Sequence, residues 1–261
     1  MVGLIFEGGG AKGAYQIGVW KYIKEKNIKI NGVAGTSVGA INSAAFAMGD
    51  IDSAIKMWKD LSFEKIISGE VKKENIPAEF NEDLVKDIDK LEEYFLNNSN
   101  GFDITPMKEM LKENIDEAII RNNNIDLGLV TYNLSKRKLE EIFLEDIKKG
   151  SLYKYIIASS YLPVFKAEKI DGDYYLDGGF FNNLPINMLV KKGYKKIISV
   201  RLRPDKYDYS IYSNIEIIDI SPQETLGGTL EFNNKKINDN IELGYIDAKI
   251  ILSDIIDSFI G

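Results

Sequence analysis

Residues 30–48 read INGVAGTSVGAINSAAFAM and contain the pentapeptide GTSVG at their centre. The residues before the pentapeptide are short and apolar, as in a buried strand, and the small residues 40–48 favour a tightly packed helix. A serine between strand and helix is typical of a nucleophile elbow, whose sharp turn presents the hydroxyl. Gly35 and Gly39 leave room for strand and helix to approach closely around Ser37. The alternative is a glycine-rich turn whose serine only caps the helix.

The chain contains no histidine, and this absence limits the chemistry that Ser37 can perform. A serine hydroxyl is a weak nucleophile unless an adjacent base accepts its proton, and in most hydrolases that base is an imidazole. The sequence therefore excludes the histidine-containing triads of serine hydrolases and the Cys-His pairs of cysteine proteases. If Ser37 is a nucleophile, its base is a carboxylate, a lysine or a tyrosine, and the machinery is a dyad.

A glycine-rich loop follows the first predicted strand. Residues 2–6 read VGLIF, and the sequence GGGAKG at residues 8–13 then opens a predicted helix. Strand, glycine loop and helix also form dinucleotide-binding sites, but the acidic residue expected about twenty positions later is missing from residues 31–37. A P-loop is excluded because Lys12 precedes Gly13 instead of following it. The feature that remains is a set of amides at a helix N-terminus, which binds negative charge such as an oxyanion.

A third motif, DYYLDGG at residues 173–179, places Asp177 at the end of a short apolar strand and before a Gly-Gly turn. An aspartate at this place is either a turn former or the carboxylate that a serine dyad needs. Asp171 and Asp173 compete for the catalytic role, but their Asp-Gly-Asp tripeptide is typical of a solvent-exposed hairpin tip. The aspartate spacing also resembles a calcium loop, which we exclude because its twelfth position is Asn182 instead of glutamate.

Together the three motifs resemble the signature of patatin-like phospholipases, which carry GGGxKG or GGGxRG near the N-terminus, then GTSxGA and a distant DGG. All three occur in this order, as GGGAKG at 8–13, GTSVGA at 35–40 and DGG at 177–179. The blocks ASSYLPVF at 158–165 and LGYIDA at 243–248 also resemble the family. The resemblance implies an α/β fold, a three-layer α/β/α sandwich around a mostly parallel central sheet.

The resemblance also implies a role for each motif residue. Ser37 is the expected nucleophile and Asp177 the expected base. The oxyanion hole is expected from the backbone of Gly8, Gly9 and Gly10. The supporting motif residues are Lys12, Gly13, Gly35, Gly39, Gly178 and Gly179.

From this resemblance we expect a serine lipid acyl hydrolase of phospholipase A or lysophospholipase type, which cleaves fatty-acyl esters through an acyl-enzyme. Two alternatives stay open: an acyltransferase that uses the same dyad, and a non-catalytic anion- or nucleotide-binding protein built on the glycine loop. No cofactor and no metal are expected, because the sequence offers no convincing cluster of metal ligands. The expected partner is a lipid substrate at a membrane or micelle surface.

The composition sets further limits on the function. The chain's 261 residues fit a single patatin-like domain over 1–261. A net charge of −7 argues against nucleic acid and against broad attraction to anionic bilayers, and the lack of cysteine excludes disulfides and thiol chemistry. No apolar run reaches the length of a membrane span, and the early first strand predicts that no signal peptide is present. We therefore expect a cytoplasmic protein, peripheral where it meets membranes.

The remaining pattern alternates as in an α/β fold. Strands at 126–132 and 139–143 are predicted to form a hairpin, and later strands lie at 196–201 and 215–220. Residues 63–101 are charged and weakly amphipathic, which predicts a helical surface insertion, with a lid as the alternative.

The C-terminal segment is predicted to be a helix that packs on the sheet. Its apolar residues recur at helical spacing, at Leu243, Ile246, Ile250, Ile255 and Phe259. A helix lying on a membrane surface is the less favoured alternative, because the polar face carries as much aspartate as lysine.

Overall fold

The computed structural model describes residues 1–68, 87–98 and 101–260. A seven-stranded sheet lies at its centre, with the strand order β4-β3-β2-β1-β6-β7 and with β5 paired to β3. The strands are β1 (Val2–Phe6), β2 (Gly32–Thr36), β3 (Asp126–Asn133), β4 (Lys138–Phe143), β5 (Tyr175–Asp177), β6 (Lys196–Val200) and β7 (Glu216–Ile220). β1, β2, β3, β6 and β7 run parallel, whereas β4 and β5 are antiparallel to β3. The predicted mostly parallel sheet is confirmed.

Helices cover both faces of the sheet because side chains along each buried strand alternate between two cores. In β1, Leu4 and Phe6 belong to the larger core and Ile5 to the smaller one. The helices are α1 (Ala14–Glu25), α2 (Val38–Met48), α3 (Ile51–Lys59), α4 (Ile88–Asn97), α5 (Thr105–Asn114), α6 (Glu117–Asn122), α7 (Leu152–Ser159), α8 (Ile186–Lys191), α9 (Asn234–Leu252) and α10 (Ile256–Ile260). The three-layer α/β/α architecture is therefore confirmed.

Strand β5 brings two distant parts of the chain together. β4 occupies one side of β3, so β2 and β5 share the other side and lie end to end along it. Thr36, the last residue of β2, pairs with Val130, and Asp177, the last residue of β5, pairs with Thr131. The two strand ends therefore meet at adjacent positions of the same neighbour.

The predicted hairpin and the two later strands are also confirmed. β3 and β4 are antiparallel and pair up to Asn133 and Lys138, so the turn contains residues 134–137. β6 and β7 extend the sheet in parallel beside β1.

The C-terminal segment packs mainly on α1 instead of the sheet, and α9 does so through a different face from the predicted one, although Phe259 is buried as predicted. The side chains of Ile246 and Ile250 are exposed, and the buried face of α9 contains Ile237, Ile241, Gly244, Ala248 and Leu252. A Cβ atom at Gly244 would lie 2.0 Å from the carbonyl oxygen of Tyr15, so only glycine permits this approach to α1. The close contact with α1 at Gly244 therefore decides which face of α9 is buried, and the spacing of the isoleucines does not.

The predicted insertion at 63–101 is only partly described. A 3₁₀ turn at Phe63–Lys65 and helix α4 lie within it, whereas residues 69–86 and 99–100 lie outside the described residues. Phe95 of α4 is fully buried, and its ring packs edge-on against Tyr161 at 5.8 Å. This helix is therefore part of the core, and the lid alternative stays a prediction.

Candidate active site

Ser37 occupies a sharp turn between β2 and α2. Its backbone has φ 56° and ψ −125°, a left-handed conformation that costs free energy for a residue with a side chain. A Cβ atom at Gly39 would lie 2.2 Å from the carbonyl oxygen of Phe6, and one at Gly35 would lie 2.2 Å from the carbonyl oxygen of Gly39. The Ser37 side chain makes no hydrogen bond that caps α2. These observations fit a nucleophile elbow and exclude the alternative of a serine that only caps the helix.

The Ser37 hydroxyl instead lies beside the carboxylate of Asp177, where it favours the ionised form of that carboxylate. Asp177 is buried at the end of β5, and its Oδ1 also accepts the N–H of Gly179 at 2.7 Å. The structure thus brings together the predicted nucleophile and the predicted base, which lie 140 residues apart in the chain.

Burial controls the electrostatics of this pair. It raises the pKa of Asp177 to about 6, although the hydrogen bonds from Ser37 and Gly179 favour the ionised form and oppose the shift. A carboxylate with this pKa is mostly ionised at neutral pH, yet it binds a proton more tightly than an ordinary aspartate. It can therefore both accept the serine proton and return it to a leaving group.

Gly178 and Gly179 are required by the tight turn after Asp177. A Cβ atom at Gly178 would lie 2.4 Å from the carbonyl oxygen of Val130 on the neighbouring strand. One at Gly179 would lie 2.7 Å from Asn183 Oδ1 and 3.0 Å from Asp177 Oδ1. A side chain at either position would push the carboxylate away from the serine.

The glycine loop lies directly beside the nucleophile. A Cβ atom at Gly8 would come within 3.3 Å of the Ser37 Cβ. The Gly8 N–H donates to the carbonyl of Asn183 at 3.1 Å, so it is not free to bind an oxyanion in this conformation. Within the described part of the chain, the N–H groups of Gly9 and Gly10 have no acceptor. Of the three amides predicted to form an oxyanion hole, those of Gly9 and Gly10 are available to a ligand in this conformation, and their role stays a prediction.

The sequence comparison agrees with this geometry. A profile of the family described as Patatin-like phospholipase matches residues 4–190, which contain all three motifs. The chain belongs to this family. It is 24% identical to "Lysophospholipase NTE1" of Kluyveromyces lactis over 76% of its length, and 26% identical to human "Patatin-like phospholipase domain-containing protein 6" over 82%. It spans only 12% and 14% of the lengths of these two relatives.

The fold is also similar to a known structure. VipD from Legionella pneumophila superposes with a TM-score of 0.56 at 16% identity, and the alignment covers 99% of this chain and 66% of VipD. At this identity the comparison supports the patatin-type fold alone.

Two polar residues that the motifs did not predict support the glycine loop of this patatin-like protein. Glu7 is buried, and its carboxylate accepts the N–H of Leu202 and the side-chain amide of Asn183, the latter at 3.2 Å. Asn183 also donates to the Gly8 carbonyl at 3.1 Å. Burial raises the pKa of Glu7, while the Leu202 amide favours its ionised form. The sequence signal for this role was an acidic residue directly between a buried strand and the glycine loop.

A second polar network joins the loop to the nucleophile helix. The fully buried Asn42 on α2 donates to the Gly13 carbonyl at 3.0 Å and to Gln16 Oε1 at 2.8 Å. Gln16 in turn donates to the Glu7 carbonyl at 2.7 Å. A Cβ atom at Gly13 would lie 2.6 Å from Val38 Cγ2, so glycine lets the loop contact the first residue of α2. Lys12, one of the supporting motif residues, is half-buried in the same loop.

The hairpin tip before β5 has no catalytic geometry. Asp171 and Gly172 have φ values of 51° and 95°, as in a tight hairpin turn, and Asp171 and Asp173 form ion pairs with Lys154 and Lys136. The described residues contain no group of three or more metal-binding side chains that could hold an ion. Among the helices that the structure describes, none combines the length and apolarity needed to cross a bilayer.

Proposed function

We propose that this chain is a serine lipid acyl hydrolase that works through a dyad of Ser37 and Asp177. The observation that carries the proposal is the buried carboxylate of Asp177 beside the Ser37 hydroxyl, with its pKa raised to about 6. The strained backbone of Ser37 holds the hydroxyl at the elbow, so the serine and its base are already aligned. A chain without histidine thus has a base for acyl transfer.

In the first half-reaction, Ser37 Oγ attacks the ester carbonyl carbon while its proton moves to Asp177. The carbonyl oxygen becomes an oxyanion, which the amides of Gly9 and Gly10 stabilise. When the intermediate collapses, the alcohol leaves with the proton from Asp177, and the acyl group stays on Ser37. Water then attacks the acyl-enzyme while Asp177 accepts its proton, and the fatty acid leaves as Ser37 regains a proton.

The proposed substrates are fatty-acyl esters of phospholipids or lysophospholipids at a membrane or micelle surface. The family membership supports this class, as does a relative named as a lysophospholipase. One exposed aromatic residue follows the dyad aspartate closely and supports a lipid contact. Phe181 lies four residues after Asp177, is 39% exposed and stacks on Tyr132. Exposed apolar surface of this kind is suited to contact with an apolar ligand.

The alternative of a nucleotide- or anion-binding protein is less well supported by the loop. The amides of Gly8, Ala11 and Lys12 all donate to protein carbonyls, so few remain for a pyrophosphate. An acyltransferase would share the acyl-enzyme and differ only in the acceptor. Product analysis with and without an added lysophospholipid acceptor separates it from the hydrolase.

The test of the proposal is Ser37→Ala. This variant should stay folded but lose both hydrolysis of a p-nitrophenyl ester and labelling by a fluorophosphonate probe. Ser43→Ala is the matched control, because Ser43 lies on the same helix with a buried hydroxyl that has no hydrogen-bond partner among the described residues. The control should react like the wild type. Undiminished hydrolysis by Ser37→Ala, or a wild-type protein that the probe does not label, would contradict the proposal.

A further inference from the structure

The backbone amide of the nucleophile has a specific partner. The Ser37 N–H donates to Ser159 Oγ at 2.9 Å, across 122 residues of sequence. Ser159 is the last residue of α7 and is fully buried. Ser37 lies beyond the last paired residue of β2, so its N–H has no partner in the sheet and needs another acceptor. The serine hydroxyl supplies that acceptor inside the protein.

The same segment also holds the base. The Asp177 N–H donates to the carbonyl of Tyr161 at 2.8 Å, only two residues beyond Ser159. Tyr161 is itself fixed, because its ring is fully buried and its hydroxyl donates to the Lys166 carbonyl at 2.7 Å. One short segment therefore contacts the backbone of both members of the dyad.

We infer that Ser159 is a positioning residue for the reaction. Its hydroxyl fixes the peptide between Thr36 and Ser37, and this keeps the Ser37 Oγ directed at Asp177. Without the acceptor, the partly buried N–H loses its hydrogen bond and the elbow relaxes toward a less strained conformation. The hydroxyl then leaves the hydrogen-bond distance at which the carboxylate can take its proton. This inference rests on the proposed dyad mechanism.

Ser159→Ala and Ser160→Ala form a matched pair that tests the inference. Ser160 is the next residue and is also buried, but its hydroxyl has no partner in the described part of the chain. For a soluble p-nitrophenyl ester, Ser159→Ala should lower kcat by about 100-fold, the size expected when a reacting group is displaced by about 1 Å. KM should change little, because Ser159 is fully buried and has no surface to offer a substrate. Ser160→Ala should keep both constants near the wild-type values.

Two further measurements separate positioning from a loss of folding. Hydrogen exchange at the Ser37 amide should become faster in Ser159→Ala and stay unchanged in Ser160→Ala. The acidic limb of the pH profile should move to higher pH in Ser159→Ala, because Asp177 loses the Ser37 hydroxyl that favours its ionised form, and should stay unchanged in Ser160→Ala. If Ser159→Ala has wild-type kcat and wild-type exchange at Ser37, the inference is wrong.

An equal loss of kcat in both variants would also overturn the inference, because the whole segment and not the hydroxyl would then be responsible. Failure of the proposed function gives a different result. In that case the wild-type protein neither hydrolyses the ester nor reacts with the probe, while faster exchange in Ser159→Ala still reports the hydrogen bond to Ser37.

Discussion

Replacing Asp177 with asparagine should abolish activity and, at neutral pH, make the folded protein more stable. The pKa of Asp177 in the folded chain is about 6 because of burial, above its ordinary value of 3.8. The folded state therefore prefers the protonated carboxyl. The contribution of Asp177 to the free energy of unfolding is fully present below pH 3.8 and is lost as the pH rises through 6. An asparagine carries no charge, so it does not lower the stability in this way.

The size of the gain follows from the two pKa values. Their difference corresponds to roughly 3 kcal/mol at pH 7.5 and to roughly 1.6 kcal/mol at pH 5, where the unfolded carboxylate is ionised but the folded one is mostly protonated. The amide keeps both hydrogen bonds. Its oxygen can accept the Gly179 N–H, and its nitrogen can donate to the Ser37 hydroxyl. The gain is therefore not offset by an unsatisfied buried group.

Urea unfolding of wild type and Asp177→Asn at pH 7.5 and pH 5 measures this difference. Asp173→Asn is the control, because Asp173 lies at the hairpin tip, where the ion pair with Lys136 lowers its pKa. This control should show no gain in stability. If Asp177→Asn is less stable than wild type at pH 7.5, or its effect is the same at both pH values, the burial argument fails.

Two other predictions concern the acidic limb and the glycine loop. The kcat/KM of the wild type for a soluble ester should be half-maximal at about pH 6 and should fall about tenfold between pH 7 and pH 5; a profile that stays flat to pH 5 would indicate an ordinary aspartate. Gly9→Val should fold but lose kcat by about 100-fold, because the added side chain meets only the flexible Leu202 while it crowds the oxyanion amides. Gly10→Ala should instead lower the Tm, because Gly10 has φ +58° and a Cβ atom there would lie 2.0 Å from the Thr229 carbonyl oxygen. Thermal unfolding and ester kinetics distinguish these two loop variants, and a Gly10→Ala protein with wild-type Tm would contradict the geometry.

The parts of the site that the sequence predicted are those set by local backbone geometry. The elbow around Ser37 needs glycine two residues before and two residues after the serine, and the sequence contains both glycines. The same is true of the Gly-Gly turn after Asp177, where either Cβ atom would collide with a neighbour. The strands were predictable because their apolar runs are short and bounded by turn residues.

The parts that the sequence could not predict depend on contacts between distant segments. No sequence pattern indicates that Ser37 contacts Ser159 or that the Gly8 amide contacts the Asn183 carbonyl. The relative position of these segments depends on how all the strands of the sheet pair. The prediction of which face of α9 is buried was wrong for a similar reason. The isoleucine spacing predicted the buried face, whereas the close approach at Gly244 decided it.

In the proposed mechanism, burial lets an aspartate serve as the base in a chain without histidine. An ordinary aspartate is a much weaker base than imidazole, but the raised pKa of Asp177 comes within about half a unit of the histidine value of 6.5. The same burial destabilises the fold at neutral pH, because the buried carboxylate is then mostly ionised. The carboxylate therefore has to be held by donors that favour its charged form, and Ser37 and Gly179 both do this. These donors favour the charged form only while they stay at hydrogen-bond distance from the carboxylate. The contacts of Ser159 and Tyr161 to the backbone of Ser37 and Asp177 hold the two residues in place.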